Sequence, residues 1–252
     1  WAHTYKGDEK GHCVKTKSRL VAKGFSQSRV CFRLMVGDDV SLMVGVHVDE
    51  IIASGRKTAC DKFFAQLKQR FPVKNQGELN MYTGCAFVRD WELGVLEINQ
   101  TIYAEKLVKQ YGIPATSNIP DSLGVDLCSR KNGESGVNNK FPLYRPLIGS
   151  LMWLSVMTRP NIANAIRACA RHSHNPSPQH WKALLQVAAY VYSTKQIYLK
   201  FVCGSGLKLT VFADADYSAT SNDRRPVTGV AVMLGATAIV WKSSTKKCVT
   251  TA

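Results

Sequence analysis

Two adjacent carboxylates, Asp49 and Glu50, interrupt an apolar stretch and are the residues best suited to metal chemistry. The stretch runs from Val40 to Gly55 and reads VSLMVGVHVDEIIASG. Because Val and Ile dominate it, we expect two buried strands joined by a tight turn at the acidic pair. Carboxylates there are costly to desolvate unless hydrogen bonds or a cation satisfy them, as a pair of Mg²⁺ ions does in polymerases. The simpler alternative is a hairpin whose tip points into water.

Two other groups of polar residues could be mistaken for sites. The Gly37-Asp38-Asp39 triplet resembles a polymerase metal turn, but between two apolar runs it is typical of an ordinary hairpin turn. Cys169, His172 and His174 could ligate a metal, yet no second nearby Cys completes a tetrahedral set. Helical spacing instead predicts that Cys169 is a core residue.

The elements that must position these residues alternate between helical and strand patterns. Residues 56–70 form an amphipathic pattern ended by Pro72, and residues 100–111 form another ended by Gly112. Three further helices are predicted at 146–157, 161–172 and 177–192, with proline in the first turn of each. Paired strand patterns predict hairpins, at 82–89 with 95–98, 197–202 with 207–213, and 226–234 with 237–241.

Composition favours a polyanionic partner. The chain has 252 residues, and 33 Lys and Arg against 18 Asp and Glu give it a formal charge of +15, which most simply points to nucleic acid. None of the eight cysteines lies in a C-x-x-C pair, so we expect free thiols in an intracellular protein. No apolar run reaches the roughly 20 residues that cross a bilayer, and we expect no membrane partner.

Five blocks, in this order, resemble the Pol polyprotein of copia-type LTR retrotransposons, from reverse transcriptase into ribonuclease H. They are KSRLVAKGFSQ, VHVDEIIASG, YRPLIGSLMWLSVMTRPNIANAI, NPSPQHWKALLQVAAYVYSTK and FADADYSATSNDRRPVTGVAVMLGATAIVWKS. The resemblance covers nearly the whole chain, and the last block is highly specific. In that family the acidic turn is normally Asp-Asp, whereas here Glu50 follows Asp49.

The resemblance implies roles for particular residues. Asp49 and Glu50 match the catalytic, Mg²⁺-binding turn of the polymerase, and Asp214 matches the first catalytic, metal-binding carboxylate of ribonuclease H. The matching nucleic-acid contacts are Lys17, Arg19, Lys23, Arg224 and Arg225. The implied partners are RNA, DNA or an RNA–DNA hybrid, the implied cofactor is Mg²⁺, and the implied location is a cytoplasmic particle or the nucleus.

The same resemblance implies an α+β fold: a partial reverse-transcriptase palm and thumb region, a helical connection, and an incomplete ribonuclease H-like sheet. The expected boundaries are 1–113 for the first region, 114–141 for a linker, 142–196 for the connection and 197–252 for the last. Gln27 runs directly into the hairpin before the acidic turn, so the segment carrying the family's first palm Asp is expected to be deleted. From the same resemblance we expect the next ribonuclease H carboxylates to lie beyond Ala252.

We therefore expect a retrotransposon polyprotein fragment related to RNA-directed DNA polymerase and ribonuclease H. Two-metal catalysis needs about three carboxylates at each site, and each site here lacks some of them. The expectation is a catalytically incomplete chain. The alternatives are a nucleic-acid-binding remnant without catalysis and a degenerate coding fragment without selected function.

Overall fold

The fold is α+β, as predicted, with antiparallel sheets and five α-helices among the residues that the structure describes. A computed structural model describes residues 2–7, 13–19, 30–36, 39–47, 50–113, 116–120, 141–216 and 227–245. The helices are α1 (Lys57–Arg70), α2 (Thr101–Tyr111), α3 (Tyr144–Met157), α4 (Ala163–Ala170) and α5 (Pro178–Ser193). The strands are β1 (Ala2–Gly7), β2 (Cys13–Arg19), β3 (Val30–Val36), β4 (Asp39–His47), β5 (Glu50–Gly55), β6 (Met81–Tyr82), β7 (Cys85–Asp90), β8 (Val95–Asn99), β9 (Leu199–Val202), β10 (Leu209–Asp216), β11 (Val227–Leu234) and β12 (Thr237–Thr245).

The chain divides into two compact units, Trp1–Leu79 and Asn80–Ala252. The first contains a β1-β2 hairpin, a β3-β4-β5 sheet and helix α1. Val36 pairs with Asp39 and His47 pairs with Glu50, so β4 has a hairpin connection at each end. The two hairpins predicted around Gly-Asp-Asp and around the acidic pair are therefore confirmed, although residues 37, 38, 48 and 49 lie outside the described part.

The expectation that both strands of the acidic hairpin are buried is wrong for β5. Leu42 and Val44 of β4 are buried, but Ile51 of β5 is 44% exposed. Helix α1 packs near β4 and β5 without burying any residue of its own. One short helix cannot cover a three-stranded sheet, so β4 is shielded at Leu42 and Val44 alone, while its Val40 and Met43 are as exposed as Ile51 of β5.

The second unit is built around a core formed by α2, α3, α4, α5 and a 3₁₀ turn at Pro160–Ile162. The predicted helices are confirmed there, with the 161–172 helix divided into that turn and α4. Local signals explain the ends: Gly112 takes a left-handed conformation after α2 (φ 58°), and Ser177 caps α5. The Ser177 Oγ accepts the His180 N–H at 3.3 Å, while His180 Nδ1 accepts the Ser177 N–H at 3.0 Å.

The predicted hairpin between residues 197–202 and 207–213 is wrong. Strand β9 pairs with β8, giving the order β6-β7-β8-β9, whereas β10 begins a separate sheet, β10-β11-β12. The backbone N–H of Cys203 donates to the carbonyl of Gly94 at 2.7 Å, and the Thr237 hydroxyl donates to the carbonyl of Lys200. Strand β9 thus joins an existing hairpin rather than folding back on its neighbour in sequence. The predicted hairpins formed by β7 with β8 and by β11 with β12 are confirmed.

Free thiols were predicted, and they are found at Cys31, Cys60, Cys85, Cys169 and Cys203. Cys169 is 2% exposed and belongs to the helical core, as its spacing predicts. Of the helices in the described residues, none is both long and apolar enough to traverse a bilayer. The domain boundaries derived from the family resemblance stay a prediction.

Candidate nucleic-acid interface

Of the two carboxylates predicted at the tip of the acidic hairpin, Glu50 alone lies in the described part of the chain. Glu50 is the first residue of β5, is exposed, and lies opposite His47 on β4. Asp49 lies outside the described residues. The geometry of a metal-binding pair at this turn therefore stays a prediction.

Of the predicted basic contacts, two are described through their backbone alone. Lys17 lies on β2 opposite Thr4, and Arg19 lies opposite Ala2. Lys23, Arg224 and Arg225 lie outside the described residues. Their roles toward nucleic acid stay predictions.

Asp214 lies on the edge strand β10 and is exposed. It pairs with Gly229 on β11, which in turn pairs with Ser243 on β12. Directly opposed residues in antiparallel strands share one face, so these three positions form a row across the sheet. At its centre, a Cβ added to Gly229 would meet no atom within 4 Å, so the row is open above β11.

The helices of the core border this same face. The indole N–H of Trp241 donates to the carbonyl of Ser155 at 2.6 Å, which attaches β12 to the end of α3. An open groove of about 750 Å³ lies between the sheet and α4. Asp214, Gly229 and Ser243 line its sheet side.

Helix α4 supplies a polar wall to the groove through Asn164 and Arg167. Arg167 donates from Nε and Nη2 to Asn164 Oδ1 at 3.1 and 2.9 Å, and from Nη1 to Thr245 Oγ1 at 2.8 Å. Ser243 Oγ donates to the same Asn164 oxygen at 3.3 Å. These bonds hold a half-buried guanidinium in a fixed position between α4 and β12.

Sequence reasoning missed Asn164, Arg167 and Ser243. One signal could have pointed to Arg167: no Asp or Glu occurs between Glu134 and Asp214, while that stretch carries nine Lys and Arg. The basic residues are Lys140, Arg145, Arg159, Arg167, Arg171, Lys182, Lys195, Lys200 and Lys208. Helices α3, α4 and α5 lie in this block. The excess of positive charge around them favours the approach of polyanions.

The described residues of the groove do not fit a two-metal centre. Asp214 offers one carboxylate, and the Asn164 oxygen already accepts bonds from Arg167 and Ser243. Across the described residues, no three His, Cys, Asp or Glu side chains cluster so that they could hold a metal ion. Two bridged metals need more carboxylate oxygens than this row provides. The Mg²⁺ expectation stays a prediction.

Taken together, the second unit is an α+β module with a basic helical block and an open groove on its sheet. Three relatives are Pol polyproteins of plant transposons. The polyprotein from transposon TNT 1-94 of Nicotiana tabacum is 28% identical over 240 residues, 92% of this chain and 18% of its own length. Those from transposons RE2 and RE1 of Arabidopsis thaliana are 28% and 29% identical over 93% of this chain, which is 16% of each polyprotein.

The chain is thus similar, over more than nine-tenths of its length, to retrovirus-related Pol polyproteins of transposons. It spans less than a fifth of the length of these relatives. No protein-family model matches it, and no solved structure gives a significant match.

Proposed function

We propose that this chain corresponds to the reverse transcriptase to ribonuclease H region of the polyprotein, and that it binds RNA–DNA hybrid without polymerising or cleaving it. The β10-β11-β12 meander that presents Asp214 supports the ribonuclease H-like part of the proposal. The β3-β4-β5 sheet, with its connection at Asp49, supports the palm part. By the same family relation, the binding takes place inside the cell.

The observation that carries this proposal is the acid-free block between Glu134 and Asp214. Of its nine cationic side chains, Arg159 is buried and Lys195 pairs with Glu105, and the others favour contact with a phosphate backbone, which offers closely spaced negative charges. Some of these cations are exposed on the helices, such as Arg145 on α3 and Lys182 on α5. Contacts of this kind are insensitive to base sequence, because phosphates are identical along the strand.

Titration of a labelled RNA–DNA hybrid into the purified chain tests the binding. We expect affinity without sequence preference that falls steeply between about 50 and 200 mM salt, since each phosphate contact releases counterions. Affinity that does not change with salt would contradict the proposal.

Two matched charge-reversal variants test which surface of the protein binds the hybrid. Lys182→Glu changes an exposed residue of α5 within the acid-free block, and Lys57→Glu makes the same change at an exposed residue of α1. Both lower the net charge by two, so a difference between them reports position rather than total charge. We expect the first to weaken binding more than the second; equal effects would show that the helical block has no special role.

Two activity assays test the absence of catalysis. Primer extension on a homopolymer template and cleavage of an RNA–DNA hybrid, each with Mg²⁺ or Mn²⁺, should give no product. The physical reasons are the Asp49-Glu50 departure from the family turn and the single carboxylate in the described part of the groove. Extension that Asp49→Asn abolishes, or cleavage that Asp214→Asn abolishes, would contradict this part of the proposal.

A further inference from the structure

The sheet side of the groove between α4 and the β10-β11-β12 sheet carries an aromatic row beside the row that contains Asp214. Phe212 pairs with Ala231 on β11, and Ala231 pairs with Trp241 on β12. Opposed residues of antiparallel strands share a face, so a small residue separates two aromatic ones. Phe212 and Asp214 are alternate residues of β10 and therefore lie on the same face, and both line the groove.

The side chains of this face differ in how far they are already engaged. The indole N–H of Trp241 donates to α3 at 2.6 Å, and Arg167 and Ser243 donate to partners within α4 and β12. Phe212, in contrast, is 61% exposed, and Asp214 is exposed as well. Strand β10 thus presents an aromatic ring and a carboxylate acceptor to the groove, next to the open space above Gly229.

A nucleobase matches these two groups in its chemistry. Its flat faces stack on aromatic side chains, and its edge carries N–H donors that a carboxylate accepts. A phosphate does not match, because the charge of Asp214 repels it from β10. The groove, at about 750 Å³, has the size of a ligand site, and the acid-free block supplies positive charge for the phosphates elsewhere on the second unit.

We propose that Phe212 and Asp214 form a site for one unpaired nucleobase of the bound nucleic acid. The base stacks on the ring of Phe212 and donates from its edge to the carboxylate of Asp214. The inference rests on the proposed function and makes it more specific: a base outside the duplex adds affinity, because a paired base has its edge and its faces occupied. Binding of the duplex itself stays independent of base sequence.

The test uses a short RNA–DNA hybrid with a single-stranded overhang and the same hybrid with an abasic overhang. The two ligands carry the same phosphates, so the ratio of their affinities for the full-length chain measures what the unpaired bases contribute. Phe212→Leu keeps an apolar side chain and removes the ring, whereas Phe212→Tyr keeps the ring. Val211→Leu is the matched control, because Val211 is 64% exposed on the same strand and lies on the opposite face.

For the wild type we expect the overhang with bases to bind about fivefold more tightly than the abasic one, which is the effect of one stacked base. Phe212→Leu should bring this ratio close to one, while Phe212→Tyr and Val211→Leu should keep it. Asp214→Ala should lower the ratio too, since the edge of the base loses its acceptor. The matched phosphates remove the effect of the lost repulsion from this comparison.

A wild-type ratio near one, or an unchanged ratio in Phe212→Leu, would overturn the base site alone when hybrid binding still falls with salt. An equal loss in Val211→Leu would overturn it as well, because a disturbed edge strand would then be responsible. If Phe212→Leu lowers self-association in sedimentation velocity and leaves the ratio unchanged, a second copy of the chain covers the groove and the base site is wrong. Salt-insensitive binding of the hybrid would instead overturn the proposed function itself.

Discussion

Arg159 is a buried cation that stabilises the second unit from inside. It is 2% exposed, and burial lowers the pKa of its guanidinium. Its Nη1 donates to the carbonyl of Thr194 at 3.0 Å and its Nη2 to the Thr194 hydroxyl at 2.6 Å, just beyond the end of α5. A positive charge at a helix C-terminus is favourable, and these bonds give partners to the donors of a buried guanidinium.

Replacing Arg159 with methionine keeps most of the volume and removes the donors. We expect a loss of about 2–3 kcal/mol in the free energy of unfolding, because the hydrogen bonds that a charged group makes to the end of α5 are lost. Chemical denaturation measures it. Arg145→Met, at an exposed arginine of α3 whose Nε donates to the carbonyl of Ser173 at 2.8 Å, should cost less, about 0.5–1 kcal/mol. Equal losses in the two variants would contradict the role assigned to Arg159.

Tyr144 should make the stability of the second unit decrease at alkaline pH. It is fully buried, and its hydroxyl donates to the carbonyl of Cys169 at 2.9 Å. Burial raises the pKa of this phenol above its ordinary value of 10. Above that pH the unfolded chain loses the proton while the folded chain keeps it, so stability falls as pH rises. Melting temperatures measured from pH 9 to 11 should fall less steeply for Tyr144→Phe than for the wild type; parallel curves would contradict this.

At the scale of elements, the exposed edge strand β10 is the part of the second unit most prone to self-association. Leu209, Val211 and Phe212 are each more than 60% exposed, and β10 pairs with β11 on one side only among the described strands. An apolar strand with an unpaired edge is a template for pairing with another chain.

A charge on β10 should therefore reduce self-association. We expect Val211→Lys to lower the fraction of oligomer in sedimentation velocity and to raise solubility, since lysine on an edge strand opposes strand addition. Val88→Lys is the control, because Val88 is 53% exposed on β7, which is flanked by β6 and β8. If both variants reduce association equally, surface charge rather than the open edge is responsible.

At the scale of the whole molecule, the two units differ in how much core they possess. The described helical core lies wholly between Ala104 and Val191, within the second unit. In the first unit, the buried side chains among the described residues are those of Ser41, Leu42 and Val44. Burial of apolar surface is the main stabilising term in folding, so the second unit should fold by itself and the first should not.

Two fragments test this difference. Residues 80–252 should show a cooperative thermal transition and keep the helical signal of the full chain, whereas residues 1–79 should melt without a cooperative transition. Circular dichroism with temperature measures both. A cooperative transition in the shorter fragment, or its absence in the longer one, would contradict the assignment of stability to the helical core.

The sequence by itself determined the features that depend on neighbours a few residues away. The start of α5 follows from Ser177 with Pro178, the end of α2 from Gly112, and the hairpin of β11 with β12 from Gly235. Capping bonds and left-handed turns involve backbone groups close in sequence, so residue types report them directly.

The tertiary structure alone decided which distant elements meet. Strand β9 pairs with β8 rather than with β10, because a sheet edge about a hundred residues earlier in the chain accepts its hydrogen bonds. The burial of Leu42 and Val44 on β4 while Ile51 of β5 stays exposed likewise depends on packing between separate elements, as does the bond that joins Arg167 of α4 to Thr245 of β12. Asp214 was singled out from the sequence as a possible metal-binding carboxylate, and that role stays a prediction. The position of Arg167 across the groove from it depends on how α4 packs against the sheet. Contacts between distant elements leave no periodic pattern in the local sequence, so the sequence alone does not predict them.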